Sequence, residues 1–406
     1  MNVTADPGQG RLVSLDAFRG LTIAGMILVN NPGSWSYVYA PLRHAEWHGW
    51  TPTDLIFPYF LFIVGVALPF SFRKRLERGD DRGRLMQHVV RRASILIAIG
   101  ILMRAIPDFD FATMRYYGVL QRIGLVYIGV GAAYLFLNRA GRAWLTAALL
   151  LGYWALMSWV PVPGYGAGDL SPDGNLAAWI DRLVMGGHLW QDTWDPEGLL
   201  STLPAIGTAL LGITAGEWLQ SDRPVAERTR GMLVGGLGLT VAGLVWGLVF
   251  PINKNLWTSS YVVFTAGTAL VLLGALYWLI DVRKLRGFWQ EWMVVYGMNA
   301  ITVFVASGML SKAMFRIRIG GPDGTSVYNA VYENAFRSWA GDFNGSLAFA
   351  ITYIVFWLGL MWLLHARRIY VKICPTRRSG PRSSCSPPAI PRNLWSVRLL
   401  PAPLAS

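Results

Sequence analysis

Ten stretches of about 20 largely apolar residues divide this chain of 406 residues, and mostly short polar segments separate them. A helix needs about 20 such residues to cross the hydrocarbon core of a bilayer. The stretches are residues 12–30, 54–72, 88–106, 118–137, 142–160, 199–219, 230–250, 257–280, 289–310 and 347–365. The pattern predicts an all-α, polytopic integral membrane protein with about ten transmembrane helices.

The composition agrees with this prediction, since 53% of the residues are hydrophobic and only 15% are charged. Soluble domains usually carry about 25% charged residues. The 19 Trp and 16 Tyr residues fit a chain that crosses many water–lipid interfaces. We expect the first stretch to remain in the protein as a helix, because residues 1–10 lack a basic segment and Asp16 and Arg19 interrupt the apolar run.

Lys and Arg residues are concentrated in alternate loops. Eight of them follow the second stretch: Arg73, Lys74, Arg75, Arg78, Arg82, Arg84, Arg91 and Arg92. The loops after the fourth, sixth and eighth stretches are also basic, whereas the opposite loops hold fewer such residues. Basic loops stay on the cytoplasmic side, so both termini are predicted to be cytoplasmic in a multi-pass protein of the cell inner membrane. This distribution explains the net charge of +13 better than nucleic-acid binding, for which no reading motif is present.

The chain changes character near its C-terminus. Residues 373–406 are rich in Pro, Ser and Arg and show no helical periodicity, which predicts a disordered tail after one transmembrane domain at 1–372. Both cysteines, Cys374 and Cys385, lie in this tail. The sequence therefore predicts no disulfide framework, no redox chemistry and no metal site in the helical body.

A group of polar residues flanks the first predicted outer loop. The helix from Leu12 to Asn30 is about 27 Å long, so Asn30 and Asn31 should emerge at the outer face. His44 and His48 follow before Asp54 opens the second span. Imidazole can act as a general base, a carboxylate can orient it, and an amide can hold an acceptor or an oxyanion. The alternative is that the two histidines are simply interfacial residues among Trp and Tyr.

Asp16 and Arg19 lie three residues apart on one face of the first helix, near its cytoplasmic end. They are expected to pair with each other, and Arg19 is also a candidate for contact with an anionic cofactor group. Asp16 and Asn30 are about 21 Å apart along the helix. A ligand that touches both ends of this helix must therefore be long.

Other polar residues fall at or within the predicted spans and should face the bundle interior, because exposure to lipid is costly. They are Gln121, Arg122, Asn253, Lys254 and Asn299. Their residue types fit either a substrate path or interhelical hydrogen bonds, and Asn253 could instead cap a helix. Asp195, Pro196 and Glu197 are typical of a helix start, with Asp195 as the cap.

The chain resembles the transmembrane heparan-α-glucosaminide N-acetyltransferases and their bacterial homologues. The resemblance rests on six blocks in the same order over residues 12–372. They are SLDAFRGLTI, LVNN followed by RHAEWHGWTPTDLIFPYFLFIVG, GVLQRIGLVY, DPEGLLSTLPAI, FPINKNLWTSSYV and YGMNAITVF. The matching motifs therefore extend over nearly the whole chain except the tail.

This resemblance implies a membrane enzyme that uses cytosolic acetyl-CoA to acetylate the amino group of a glucosamine-type sugar on the far side. The family's active-site histidine falls on His44, and its asparagine falls on Asn30 rather than Asn31. Asp54 occupies the family's T-x-x-D-L-x-F-P position. We assign catalysis to these three residues, cofactor binding to Arg19, Asp16 and Asn299, and substrate binding to His48, Gln121, Arg122, Asn253 and Lys254.

Several alternatives remain open at this point. The acceptor could be an amino sugar, a peptidoglycan fragment or another exported glycan, and transfer to a hydroxyl would make the protein an O-acetyltransferase. A transporter or flippase for sugars or glycan precursors would instead use the polar helix residues to line its path. A catalytically silent scaffold is a third alternative. The resemblance also suggests a homodimer, while the bilayer and a glycan acceptor are the other expected partners.

Overall fold

The computed structural model describes residues 12–371; the predicted tail and its two cysteines lie outside them. The described chain is mainly helical. Its helices are α1 (Val13–Asn30), α2 (Ile56–Glu77), α3 (Arg82–Ala105), α4 (Val119–Phe136), α5 (Arg139–Trp159), α6 (Leu176–Met185), α7 (Thr202–Leu219), α8 (Val225–Trp246), α9 (Ser259–Leu276), α10 (Phe288–Met298), α11 (Ala300–Arg316), α12 (Val327–Tyr332), α13 (Ser338–Ala340) and α14 (Asp342–Ala366). The predicted all-α class is confirmed.

Short β-hairpins occur in two of the connections. Strand β1 (Pro161–Val162) pairs antiparallel with β2 (Gly166–Ala167), and β3 (Arg318–Ile319) pairs antiparallel with β4 (Thr325–Ser326). A π-helical turn, Tyr277–Val282, extends α9.

All ten predicted stretches fall on helices, but not all of these helices pass a strict test for a membrane span. Within residues 12–371, seven are long and apolar enough, and the bent pair α10–α11 would make an eighth. Helices α5 and α7 are outside this set, and each contains a charged residue that lowers its hydropathy, Arg142 in α5 and Glu217 in α7. The structure supports a multi-pass membrane protein, whereas the count of about ten and the cytoplasmic termini stay predictions.

One predicted helix has a different shape from the expected one. The stretch 289–310 is not a continuous helix, since α10 and α11 meet at a bend of 79°. Asn299 lies at this break, with backbone angles of −121° and 32° that are not helical. Periodicity could not reveal the break because the residues on both sides of it remain apolar.

Close packing of small residues places α7 against α2. A β-carbon at Gly212 would lie 2.2 Å from the carbonyl oxygen of Phe62, and one at Gly216 would lie 2.5 Å from that of Val66. Real atoms do not approach so closely, so only glycine allows the two backbones to meet here. This confirms close helix packing as the reason for the G-x-x-x-G spacing.

The loops that follow α1, α5 and α8 meet at one end of the bundle, which we call the His44 end. Gly49 N donates to the carbonyl oxygen of Ile252 at 2.7 Å, and the indole nitrogen of Trp47 donates to that of Leu170 at 2.8 Å. Beneath them, an apolar cluster includes Tyr153 from α5. These contacts hold three separate loops in fixed positions around His44.

Candidate active site

Asp54 is the buried anchor of the site. It lies in the 3₁₀ turn Pro52–Leu55, and its residue is only 1% exposed. Its Oδ2 accepts hydrogen bonds from Thr51 N at 3.0 Å, Thr51 Oγ1 at 3.1 Å and Ala45 N at 3.0 Å. The carboxylate thus closes a capping box at the entry to α2 and also holds the preceding loop.

The second oxygen of Asp54 binds His44. Oδ1 lies 2.6 Å from Nδ1 of His44, whose side chain is 47% exposed. A carboxylate only accepts hydrogen bonds, so the network assigns the Nδ1 proton to this contact and leaves the lone pair on Nε2. The two residues therefore meet, as the sequence predicted, with His44 at an accessible surface, and their catalytic role stays a prediction.

Lys254 is the third charged group at this position. Its Nζ lies 3.1 Å from Nδ1 and 3.3 Å from Nε2 of His44, and 3.9 Å from Oδ1 of Asp54. Its side chain is only 18% exposed. Burial lowers the pKa of Lys254, although the negative charges of Asp54 and Glu197 oppose that shift.

The neighbouring residue Asn253 organises the turn that carries Lys254. Its Oδ1 accepts from Leu256 N at 2.9 Å, and its Nδ2 lies 3.3 Å from Nδ1 of His48. Burial lowers the pKa of His48, which favours the neutral ring. Asn253 therefore caps this turn and links it to the histidine loop, whereas the expected role as a helix cap was wrong, because the N-cap of α9 is Thr258.

Arg122 lies fully buried near the start of α4, which confirms that it faces the bundle interior. Its Nη2 donates to the carbonyl oxygen of Gly198 at 2.9 Å and to Ser201 Oγ, and its guanidinium lies 5.1 Å from the ring centre of Trp257. Nε and Nη1 have no hydrogen-bond partner within residues 12–371. Arg122 thus joins α4 to the segment before α7 and to the Lys254 loop.

The interpretation of Asp195 as a helix cap was wrong. Helix α7 begins only at Thr202, and Asp195 instead forms a bidentate ion pair with Arg115 at 2.6 Å and 2.5 Å. Glu197 binds the same guanidinium. Burial alone would raise the pKa of Glu197, but the positive charge of Arg115 lowers it. Sequence reasoning missed Arg115 because it is about 80 residues away along the chain.

Asn30 and Asn31 have different surroundings. Asn31 is buried, where its Nδ2 donates to the carbonyl oxygen of Ile27 at 2.8 Å and its Oδ1 accepts from Ser311 Oγ. Asn30 is exposed as the last residue of α1, and no hydrogen bond joins it to His44 among the described residues. Asn31 is therefore held by structural hydrogen bonds, whereas Asn30 is exposed.

The remaining predicted residues lie elsewhere. Arg19 pairs with Asp16 at 3.0 Å, as expected from their spacing. Asn299 is buried, and its carboxamide binds the backbone of Ile369 and Val371 at 3.3 Å and 3.0 Å. Gln121 donates to the carbonyl oxygen of Tyr116 at 3.1 Å. Each of these side chains therefore has a structural contact, and none of these contacts is to His44.

Comparison with known proteins places the chain in a family. The family model described as "Heparan-alpha-glucosaminide N-acetyltransferase, catalytic" matches residues 11–243, more than half of the chain. The chain belongs to this family. The match includes His44, Asp54 and Arg122 and ends before Lys254.

Two curated relatives extend the similarity beyond that range. The chain is 32% identical over 369 residues to the heparan-alpha-glucosaminide N-acetyltransferase of Mus musculus, covering 76% of this chain and 55% of the mouse protein. It is 30% identical over 431 residues to the protein of the same name from Homo sapiens, covering 89% and 60%. The chain therefore spans somewhat over half the length of these relatives, both of which are named as acyltransferases.

Proposed function

We propose that this protein is a membrane-embedded N-acetyltransferase that moves an acetyl group from cytosolic acetyl-CoA to a glucosamine-type amine on the opposite side. The observation that carries the proposal is the 2.6 Å contact between His44 Nδ1 and Asp54 Oδ1 in a chain of this family. It supplies an oriented base at an accessible loop. Deprotonation of an attacking amine requires such a base.

The donor must span much of the bundle in this proposal. Arg19 and Asp16 lie at one end of α1 and Asn30 at the other, about 21 Å from Asp16 by helix rise. Acetyl-CoA is long enough to bring its nucleotide toward Arg19 and the basic loops while its thioester reaches His44. Asn299 is the third proposed cofactor contact, and its bonds to residues 369 and 371 would have to open first.

Transfer can follow one of two routes at His44. Nε2 can remove a proton from the amine as it attacks the thioester, or Nε2 can itself accept the acetyl group and pass it on. Asn30 would position the acceptor, since its exposed carboxamide lies at the same end of the bundle. Labelled acetate retained on the protein without acceptor, and lost in His44→Ala, would favour the covalent route.

The decisive assay uses purified protein in liposomes with radiolabelled acetyl-CoA and glucosamine oligosaccharides. We expect labelled amide from the wild type and none from His44→Ala. The control is His188→Ala, because His188 is also a loop histidine but binds the carbonyl oxygen of Met114. Label transferred only to hydroxyl acceptors would replace the N-acetyltransferase with an O-acetyltransferase, and label transferred to no acceptor would refute the proposal.

The break at Asn299 favours a transporter as the second candidate, since discontinuous helices often form binding sites in carriers. Carriers usually show such breaks in symmetry-related pairs, whereas the described residues contain a single bent pair. The Asn299 carboxamide is also engaged by backbone groups rather than left facing a path. Counterflow of labelled glucosamine in proteoliposomes without acetyl-CoA would support the carrier.

A further inference from the structure

We propose that Lys254 is a catalytic residue whose ammonium group stabilises the negative charge that develops on the acetyl carbonyl oxygen during transfer. The inference rests on the proposed function and assigns to Lys254 a role more specific than substrate binding. From the sequence, Asn30 could either hold the acceptor or stabilise the oxyanion. With Lys254 stabilising the oxyanion, Asn30 would hold only the acceptor.

The ammonium of Lys254 lies close to the nitrogen of His44 at which the reaction is proposed to occur. It lies 3.3 Å from Nε2 of His44, so an acetyl group that reacts beside Nε2 falls within hydrogen-bond range of the ammonium. This holds whether the amine attacks the thioester directly or His44 is acetylated first. Within residues 12–371, no other Lys or Arg side chain forms a hydrogen bond with the His44 ring.

The turn that carries Lys254 is rigid. The carbonyl oxygen of Lys254 accepts from Trp257 N at 3.1 Å, and that of Asn253 accepts from Thr258 N at 3.2 Å. Trp257 is buried and adopts a φ of +52°, a conformation that is unfavourable for a bulky residue unless its surroundings hold it. A donor fixed before the reaction stabilises an oxyanion without reorganisation.

The charges around Lys254 leave its ammonium available. Asp54 and Glu197 attract it, whereas Arg122 repels it. Asp54 Oδ1 is 3.9 Å from Nζ, longer than a hydrogen bond, and the same oxygen already binds His44 at 2.6 Å. The ammonium is thus held near the ring without a tight ion pair, and its 3.3 Å contact with Nε2 is the one that the acetyl carbonyl oxygen must replace when it binds.

On the direct route, the amine attacks the thioester and CoA is the leaving group. The amine nitrogen forms a bond to the acetyl carbon while the carbon–sulfur bond of the thioester breaks. The amine proton moves to His44 Nε2 and then to the leaving sulfur, so CoA departs as a thiol. Lys254 donates a hydrogen bond to the carbonyl oxygen throughout and keeps its own proton.

The test compares Lys254→Met with Lys312→Met. Lys312 is a matched control because its ammonium binds the carbonyl oxygens of Met103 and Arg104 rather than His44. We expect Lys254→Met to lose about 100-fold or more in kcat, as loss of one oxyanion donor does, with KM for the amine and Kd for acetyl-CoA changed less than threefold. Lys312→Met should keep the wild-type kcat.

A second variant tests whether the lost charge, rather than a folding defect, explains the lower kcat. Lys254→Cys can be treated with 2-bromoethylamine, which rebuilds an ammonium at the same length, with treated wild type as the reference for modification of other cysteines. Recovery of at least tenfold in kcat would support the charge as the active feature. A folded Lys254→Met with more than a third of wild-type kcat, or no recovery after aminoethylation, would overturn the inference. Absence of transfer by the wild type itself would instead refute the proposed function.

Discussion

Replacement of Asp54 by Asn should reverse the tautomer of His44. The wild-type carboxylate accepts from three donors through Oδ2, namely Thr51 N, Thr51 Oγ1 and Ala45 N, and from His44 through Oδ1. An amide has only one oxygen. Pointing its NH₂ toward the three donors would leave two partly buried backbone N–H groups unpaired, so we expect the oxygen to stay there and the NH₂ to face His44.

The consequence for catalysis follows from that orientation. An NH₂ group donates, so Nδ1 of His44 must accept and the ring proton moves to Nε2. The nitrogen that should remove the amine proton is then blocked. General base catalysis contributes about 10²–10⁴ in rate, so kcat of Asp54→Asn should fall by that factor. KM should change little, because Asp54 is only 1% exposed and does not reach the substrate.

The effect on stability should be smaller and separable. Hydrogen bonds to a charged group contribute about 1 kcal/mol more than neutral ones, so the three bonds at Oδ2 predict a loss of about 1–3 kcal/mol. Thermal unfolding in detergent measures this loss, and ¹⁵N chemical shifts of His44 report the tautomer. A folded Asp54→Asn protein with kcat within fivefold of wild type would refute the reasoning if His44→Ala remains inactive.

Three further perturbations test the packing around the site. Arg115→Met should destabilise the protein by about 3–5 kcal/mol, because its two carboxylate partners stay buried without their cation; an unchanged melting temperature would contradict this. Burial raises the pKa of Asp181 from its usual value near 3.8 to about 6. The unfolded chain therefore loses this proton at lower pH than the folded protein, so stability should fall by about 3 kcal/mol as the pH rises from about 3 to about 7 and stay level above that, and Asp181→Asn should remove this slope. Gly212→Ala should lower the melting temperature through its clash with Phe62, whereas Gly238→Ala, with open space around its β-position, should not.

Sequence periodicity predicted the helices well because apolar runs and small-residue spacings are local. It could not show that the run around Asn299 is broken, since hydropathy does not change there. Helices α5 and α7 were also predicted as spans, but their mean hydropathy is too low for them to count among the candidate membrane spans. Their charged residues, Arg142 and Glu217, pair with each other, and α7 packs against several other helices.

The candidate site was predictable only where its residues are close in the chain. His44 and Asp54 are ten residues apart, and the T-x-x-D pattern before an apolar run places Asp54 at a helix start. Lys254 comes from a loop about 200 residues later, so only the fold shows that it touches His44. Arg115 was missed for the same reason, and its partner Asp195 was read from local spacing as a cap.

The dual use of Asp54 explains why the chemistry lies at this helix start. One oxygen closes the turn that begins α2, and the other orients His44, so folding of the turn also sets the base. A change at Thr51 should therefore affect catalysis without touching His44. In Thr51→Val, Oδ2 keeps both backbone donors but loses the hydroxyl at 3.1 Å, and the carbonyl oxygen of Arg43 loses its 2.6 Å contact with the same hydroxyl. Both the carboxylate and the start of the His44 loop then move more freely. We expect a loss of a few-fold in kcat with KM unchanged, well short of the Asp54→Asn effect, because the tautomer of His44 is preserved. An equal loss in the two variants would show that the turn, rather than the tautomer, controls the rate.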